Sequence, residues 1–249
     1  MDAACLIACA GYGGVDLEMS GDRLDLSDVD LLVMSAGAGL RMGGDVRKQW
    51  LPLCGQPMFV YTVGRLLAMG FARAVVMVHA QDEDAARAAL DGADLQRVVV
   101  AVGGATRQAS VFRGLSLATG EFVAVHDAAR PFVERRDVLS VVRRARESGA
   151  ATLGAPVRDT LKRVSEQGAI QETVAREGVW LVHTPQVFRR AWLLAAHGLA
   201  ARESLPGTDD AALLEYAGYP VSVVPGSPWN VKITGPEDRQ FMQMWEASR

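Results

Sequence analysis

The sequence predicts an α/β fold: a mostly parallel β-sheet flanked by helices, with a β-hairpin arm protruding from it. From Leu31 onward, short β-branched apolar runs alternate with amphipathic stretches, the pattern of strands covered by crossover helices. Two of those runs pass straight into glycine-rich loops, as strands do where open sheets meet their ligands. Between residues 156 and 187 the rhythm breaks into two extended polar-apolar segments joined across Gln167-Gly168, which predicts a hairpin.

Taken in order, the strands are Leu31–Met34, Ala74–Val78, Val98–Val102, Phe122–Val125, Ala151–Leu153 and, later, Val221–Val224. Between them lie the helical stretches Pro57–Met69, Asp82–Leu90, Thr106–Ala118 and Arg136–Glu147. In the first of these Phe59, Val60, Val63, Leu66 and Leu67 recur at helical spacing, which marks a core face, and the proline suits a first turn. Such a sheet is Rossmann-like, and no linker is expected before about residue 155. The hairpin exposes strand edges that want a partner, so a homodimer with interlocking arms is expected.

Composition bounds the functions. The chain has 249 residues, 49% of them hydrophobic and 22% charged, enough to bury a full core. A net charge of −3 provides no basic field for non-specific nucleic-acid binding, so any polyanion must be held by local cations. Cys5, Cys9 and Cys54 form no C-x-x-C pattern, which argues against a disulfide framework or a zinc site and makes a reducing cytoplasm the default. Residues 1–28 read as an N-terminal tail prone to disorder: they are mildly apolar, lack a cationic leader region and hold no run long enough to span a bilayer. Met19 is a second candidate start within that tail, and the stretch after Ile233 is too short for a further catalytic domain.

The stretch Asp30 to Leu53 organises the rest. Its strand ends in a loop bearing Gly37, Gly39, Gly43 and Gly44, together with Arg41 and Lys48. Glycines let backbone N–H groups approach a ligand closely, and two cations among them point to a phosphate chain. The dinucleotide pattern G-x-G-x-x-G fails at Met42, and no Gly-Lys-Ser/Thr follows. A second strand ends at Gly103-Gly104 before a helix capped by Thr106, turning its amides toward the same edge. A third ends in His126-Asp127-Ala128-Ala129-Arg130-Pro131, where Asp127 and Arg130 either pair with each other or face a ligand. His126 reads as structural, because no G-x-S-x-G or other nucleophile motif accompanies it.

Ala36-Gly37-x-Gly39-x-Arg41-Met42-Gly43 with Lys48-Gln49 resembles the signature loop of sugar-nucleotidyltransferases, and specifically of 2-C-methyl-D-erythritol 4-phosphate cytidylyltransferases. Gly-Gly-x-x-Arg-x-x-Ser-Val from Gly103 to Val111, His-Asp-Ala-Ala-Arg-Pro, and Asn230-x-Lys232-x-Thr234-x-Pro236-Glu237-Asp238 also resemble that family, over about residues 30 to 240. One departure is Arg47, where the family loop usually has proline, a swap of a rigid residue for a third cation.

The resemblance implies one nucleotidyltransferase domain over residues 29–249, with an arm at about 157–186. It implies that Arg41 and Lys48 hold the triphosphate and departing pyrophosphate and Lys232 the α-phosphate. Ala36, Gly37, Gly39, Gly103, Ser110 and Asp127 would bind the nucleotide, with Ser110 and the amides near Gly103 reading cytosine. Arg130, Thr184 and Thr208 would serve the acceptor, and Thr160 and Arg176 would reach the acceptor in the neighbouring subunit. Magnesium would bridge CTP phosphate oxygens rather than sit on protein ligands.

From the residues alone, Arg176 reads as a solvated charge and Thr208-Asp209-Asp210 as a helix start with a hydroxyl cap. Lys232, between apolar neighbours on an apparent short strand, must find an anion or water. The alternatives are a ribitol 5-phosphate cytidylyltransferase, a non-catalytic nucleotide-binding module, and, more distantly, a nicotinamide oxidoreductase.

Overall fold

The computed structural model describes residues 24–37, 47–91, 97–235 and 237–247. In chain order its elements are β1 (Val29–Ser35), β2 (Pro52–Leu53), β3 (Gln56–Pro57), α1 (Met58–Leu67), β4 (Arg73–Val78), α2 (Glu83–Leu90), β5 (Val98–Val102), α3 (Arg107–Leu115) and β6 (Phe122–Asp127). There follow α4 (Arg135–Ser148), β7 (Ala150–Pro156), β8 (Leu161–Val164), β9 (Ile170–Val174), β10 (Trp180–Arg189), α5 (Arg190–Glu203), α6 (Asp210–Tyr216), β11 (Ser222–Pro225) and α7 (Asp238–Ala247).

The central sheet has seven strands in the order β11-β7-β10-β6-β1-β4-β5. β1 runs parallel to both β4 and β6, and β5 to β4. Strand order reverses on either side of β1, so the carboxyl ends of β1, β4, β5 and β6 meet at one edge, where such sheets open a crevice. β1 is apolar on both faces because both are covered: Leu31 and Val33 enter one core cluster, and Leu32, between them, enters the other. The first cluster includes Phe59, Val63 and Leu66 of α1 and Val138, Val141 and Val142 of α4. The second holds Val111 and Leu115 of α3 with Leu193, Ala196 and Leu214 from α5 and α6. A third seals the closing helix, with Phe132, Ile233 and Met58 against Met242.

Several expectations need correction. Leu26 is 1% exposed and the Asp28 carboxylate binds Arg146, so the ordered unit begins before residue 29, while residues 1–23 lie outside the described residues. The second limb of the expected hairpin is more than an arm, because β10 continues into the sheet and pairs antiparallel with both β7 and β6. The arm itself is the β8–β9 hairpin, closed at Gly168 with φ +82°, a left-handed conformation that glycine adopts without strain. Helix α5 is not expected from the pattern. The cap of α6 is the Asp209 carboxylate, which accepts from Ala212 N at 2.9 Å, and not the Thr208 hydroxyl. Lys232 lies in an irregular segment rather than a strand.

Candidate active site

The site is assembled at the carboxyl edge of the sheet. Asp127 ends β6 in register with Met34 near the end of β1, which places it beside the glycine loop. The loop's two described ends are tied together there: Gln49, buried, donates from Nε2 to the carbonyls of Ser35 (2.9 Å) and Gly37 (3.1 Å). The second turn packs on the first. A Cβ on Gly103 would come within 2.4 Å of Ala36 Cβ, so only glycine lets the two loops approach this closely. Arg41 and Gly39 lie outside the described residues.

Asp127 collects the cations. Its Oδ2 lies 2.7 Å from Lys232 Nζ and 4.0 Å from Arg130 Nε, and its Oδ1 lies 3.4 Å from Arg107 Nε. Burial alone would raise the carboxyl pKa, but Arg107 and Lys232 outweigh it and hold Asp127 well below the usual carboxylate range. It is therefore ionised at neutral pH and can only accept hydrogen bonds. Arg107 is held in turn by Asp210, with Nη1 to Oδ2 at 2.6 Å, and Asp210 Oδ1 faces His197 Nε2 at 3.1 Å. This chain of polar contacts runs from α5 and α6 into the cleft. Lys232 is positioned by its neighbours: Ile233 N donates to Ala129 O (2.8 Å), and Asn230 O accepts from Arg130 Nη1 (2.7 Å).

His126 is fully buried, and burial pushes its pKa down to about 4, so it is neutral. Nε2 donates to Arg130 O at 3.0 Å, because a carbonyl can only accept, which leaves Nδ1 as an acceptor for Thr184 Oγ1 at 3.2 Å. The Thr184 hydroxyl in turn accepts from Asp127 N at 3.0 Å. Both ring nitrogens are thus occupied, and His126 orients the Asp127 turn as a structural residue. Asn230 Nδ2 adds a bond to Thr184 O at 2.8 Å, across a Thr184-Pro185 peptide that is cis.

Some predicted residues turn out to be committed inside the protein. Ser110 is 1% exposed; its Oγ accepts from Gly104 N (2.9 Å) and bonds to Thr106 O (2.8 Å). Gly103 N donates to Val78 O at 2.8 Å, so the amides of both glycines brace the turn in this state. Thr106 caps its helix as expected, accepting from Ala109 N at 3.0 Å. Thr208 is exposed and lines a cavity of about 410 Å³ with Asp209, Thr152 and Val223. Thr160 and Arg176 are exposed on the arm, where Arg176 donates to the Arg158 carbonyl. Sequence reasoning misses Arg107 as a site residue, although it stands in the motif after Gly103, because spacing does not disclose its contact with Asp127.

Among the described residues no cluster of three His, Cys, Asp or Glu side chains could hold a metal ion. The Asp127 carboxylate at the cleft already faces the cations Lys232 and Arg107. No helix among the described residues is long and apolar enough to cross a membrane.

Known proteins share both the motifs and the architecture. The family model IspD, 2-C-methyl-D-erythritol 4-phosphate cytidylyltransferase, matches residues 29–245. The 2-C-methyl-D-erythritol 4-phosphate cytidylyltransferase of Desulforamulus reducens is 39% identical over 223 residues, spanning 88% of this chain and 95% of its own. That of Pelotomaculum thermopropionicum is 41% identical over 219 residues, spanning 86% and 92%. The crystal structure of 2-C-methyl-D-erythritol 4-phosphate cytidylyltransferase from Thermus thermophilus superposes with a TM-score of 0.73 at 34% identity, over 90% of this chain and 100% of that one. With its motifs in the matched region and its fold shared with such structures, the chain belongs to the 2-C-methyl-D-erythritol 4-phosphate cytidylyltransferase family.

Proposed function

We propose that Arg41, Lys48 and Lys232 gather around a single CTP triphosphate, with Asp127, Arg130 and Thr184 framing the acceptor beside it. The chain is a cytidylyltransferase that joins CTP and 2-C-methyl-D-erythritol 4-phosphate, giving 4-diphosphocytidyl-2-C-methyl-D-erythritol and pyrophosphate in the non-mevalonate isoprenoid pathway. The observation that carries the residue roles is the pairing of Lys232 with Asp127 at the edge where Gln49 closes the glycine loop.

The acceptor phosphate is already ionised, so no protein nucleophile or general base is needed. It attacks the α-phosphorus in line; the new P–O bond forms as the bond to the β-phosphate breaks, and pyrophosphate leaves with that electron pair. The protein's part is to orient both partners and to spread negative charge at the reacting centre. Lys232 neutralises the α-phosphate, and Lys48 and Arg41 the departing end. Asp127, held ionised beside Arg107 and Lys232, accepts a hydroxyl of the ribose or the sugar alcohol. Ala36, Gly37, Gly39, Gly103 and Ser110 shape the nucleotide wall, with Thr208 at the acceptor end. With the Asp127 carboxylate already taken up by Lys232 and Arg107, a magnesium ion would depend on the substrate phosphates, and when bound it would supply charge neutralisation of the triphosphate.

The described residues from Leu24 on form one catalytic domain that works as a homodimer, each arm carrying Thr160 and Arg176 to the partner's acceptor. The exposed apolar side chains Ile170 (65%) and Leu181 (57%) on and beside the arm favour such a contact. The cysteine pattern, without C-x-x-C spacing, supports a reducing cytoplasm as the compartment in this reading. Pyrophosphate release with CTP, magnesium and a panel of polyol phosphates tests the whole reading. Faster turnover of ribitol 5-phosphate than of 2-C-methyl-D-erythritol 4-phosphate, or tight CTP binding without release, would overturn it.

A further inference from the structure

We propose that Arg47 is a positioning residue, a side-chain clamp that fixes the far end of the glycine loop, and with it Lys48, against the carboxyl end of β4. The inference rests on the assignment of Lys48 to the triphosphate. Arg47 Nη1 lies 2.6 Å from Asp82 Oδ1, and Nη2 donates to Gln81 Oε1 and meets His79 Nδ1 at 3.3 Å. These acceptors sit on one short turn that leaves β4 directly. That turn is itself braced, with Asp82 N donating to His79 O (2.8 Å) and Gln81 N to His79 Nδ1 (3.2 Å).

Lys48 is thereby flanked by two ties. On one side the Arg47 guanidinium joins the chain to the end of β4; on the other Gln49 joins it to Ser35 and Gly37 at the end of β1. β1 and β4 are neighbouring parallel strands, with Ser35 in register with Val78, so both ties reach the same rigid edge. A glycine-dense loop loses much conformational entropy on ordering, and a cation that must meet a phosphate within hydrogen-bond reach gains from being held before the ligand arrives. The Arg47 side chain is 21% exposed and its charge is matched by Asp82, so it serves geometry and is not a third phosphate ligand. Arginine suits the task because its planar fork meets several acceptors at once, which a lysine ammonium does not reproduce.

The backbone at Arg47 has φ −62°, within the range that a proline ring imposes. A proline there would supply by covalent stiffness what the side chain supplies by contact. The test is steady-state pyrophosphate release by Arg47→Ala, Asp82→Ala, the double variant, Arg47→Lys and Arg47→Pro, with CTP and 2-C-methyl-D-erythritol 4-phosphate. Arg47→Ala and Asp82→Ala should each lower kcat/KM for CTP about tenfold or more while leaving the KM for the acceptor unchanged. The double variant should be no worse than the poorer single one, as expected of two groups acting through one contact.

Arg47→Lys should be as slow as Arg47→Ala, and Arg47→Pro should return to within about threefold of the wild type. Wild-type rates in Arg47→Ala or Arg47→Lys, multiplicative losses in the double variant, or Arg47→Pro as slow as Arg47→Ala would each overturn the clamp alone. A wild-type protein that releases no pyrophosphate would overturn the assigned activity, and the clamp with it.

Discussion

Lys232 Nζ lies 2.7 Å from Oδ2 of Asp127, so the ammonium assigned to the α-phosphate already has an anion to hold it in place before any nucleotide binds. The contact depends on two backbone alignments, the register of β6 against β1 and the bond from Ile233 N to Ala129 O at 2.8 Å. An anion arriving at the site shares a cation that is already oriented, and the loss of that cation should register in turnover more than in folding.

Lys232→Ala and Lys48→Ala should each lower kcat by roughly 10²–10³, the usual effect of removing one preorganised charge at a reacting centre. The fold should survive in the first case because the Lys232 side chain is 39% exposed. Steady-state kinetics with circular dichroism as the folding control checks both; native-like turnover in either variant removes that lysine from the site.

Asp210→Asn should destabilise the protein by about 3 kcal/mol, because it strips the charge from a side chain 1% exposed between Arg107 and His197. It should also slow turnover, since Arg107 loses the anchor that aims it at Asp127. Urea denaturation combined with pyrophosphate release measures both effects on the same sample.

Stability should fall on acidification from about pH 6.5 to about pH 4, and His126 should be a main cause. Burial depresses its folded pKa to about 4, whereas an unfolded histidine titrates near 6.5. Within that window the unfolded chain binds a proton that the folded chain does not, so stability present above pH 6.5 is lost as pH falls. The His126 contribution is on the order of 3 kcal/mol. His183, also depressed to about 4 by burial and by Arg130, acts in the same direction. Urea midpoints across this range should show a shallower slope in His126→Gln than in the wild type.

Removal of divalent cations with EDTA should abolish pyrophosphate release without unfolding the protein, and added magnesium should restore it. The ion is expected to arrive with CTP, so its affinity measured by calorimetry should be weak without nucleotide and much tighter with it.

Ile170→Asp on the arm, where the side chain is 65% exposed, should convert a sedimenting dimer to monomer and lower turnover together. Arg176→Ala should lower turnover while leaving the dimer intact. A protein that is monomeric and fully active would refute the shared site.

The strand-loop-helix rhythm, the glycine loops and the family motifs are all legible in the chain, because periodicity and turn chemistry are written in adjacent residues. So are the motifs that carry Lys48, Asp127 and Arg130, and the structural reading of His126, which follows from the missing nucleophile motif; the short strand expected around Lys232 is instead an irregular segment. Local pattern does not say that Arg107 turns toward Asp127 and leans on Asp210, or that Thr184 and His126 support the same turn. Nor does it reveal that β10 enters the sheet antiparallel between β6 and β7, since a strand's direction and neighbours leave no trace in its own alternation. Only the folded molecule settles those relationships. They join residues far apart in the chain, and which charges meet depends on strand order and register, which are set by the packing of both faces of the sheet.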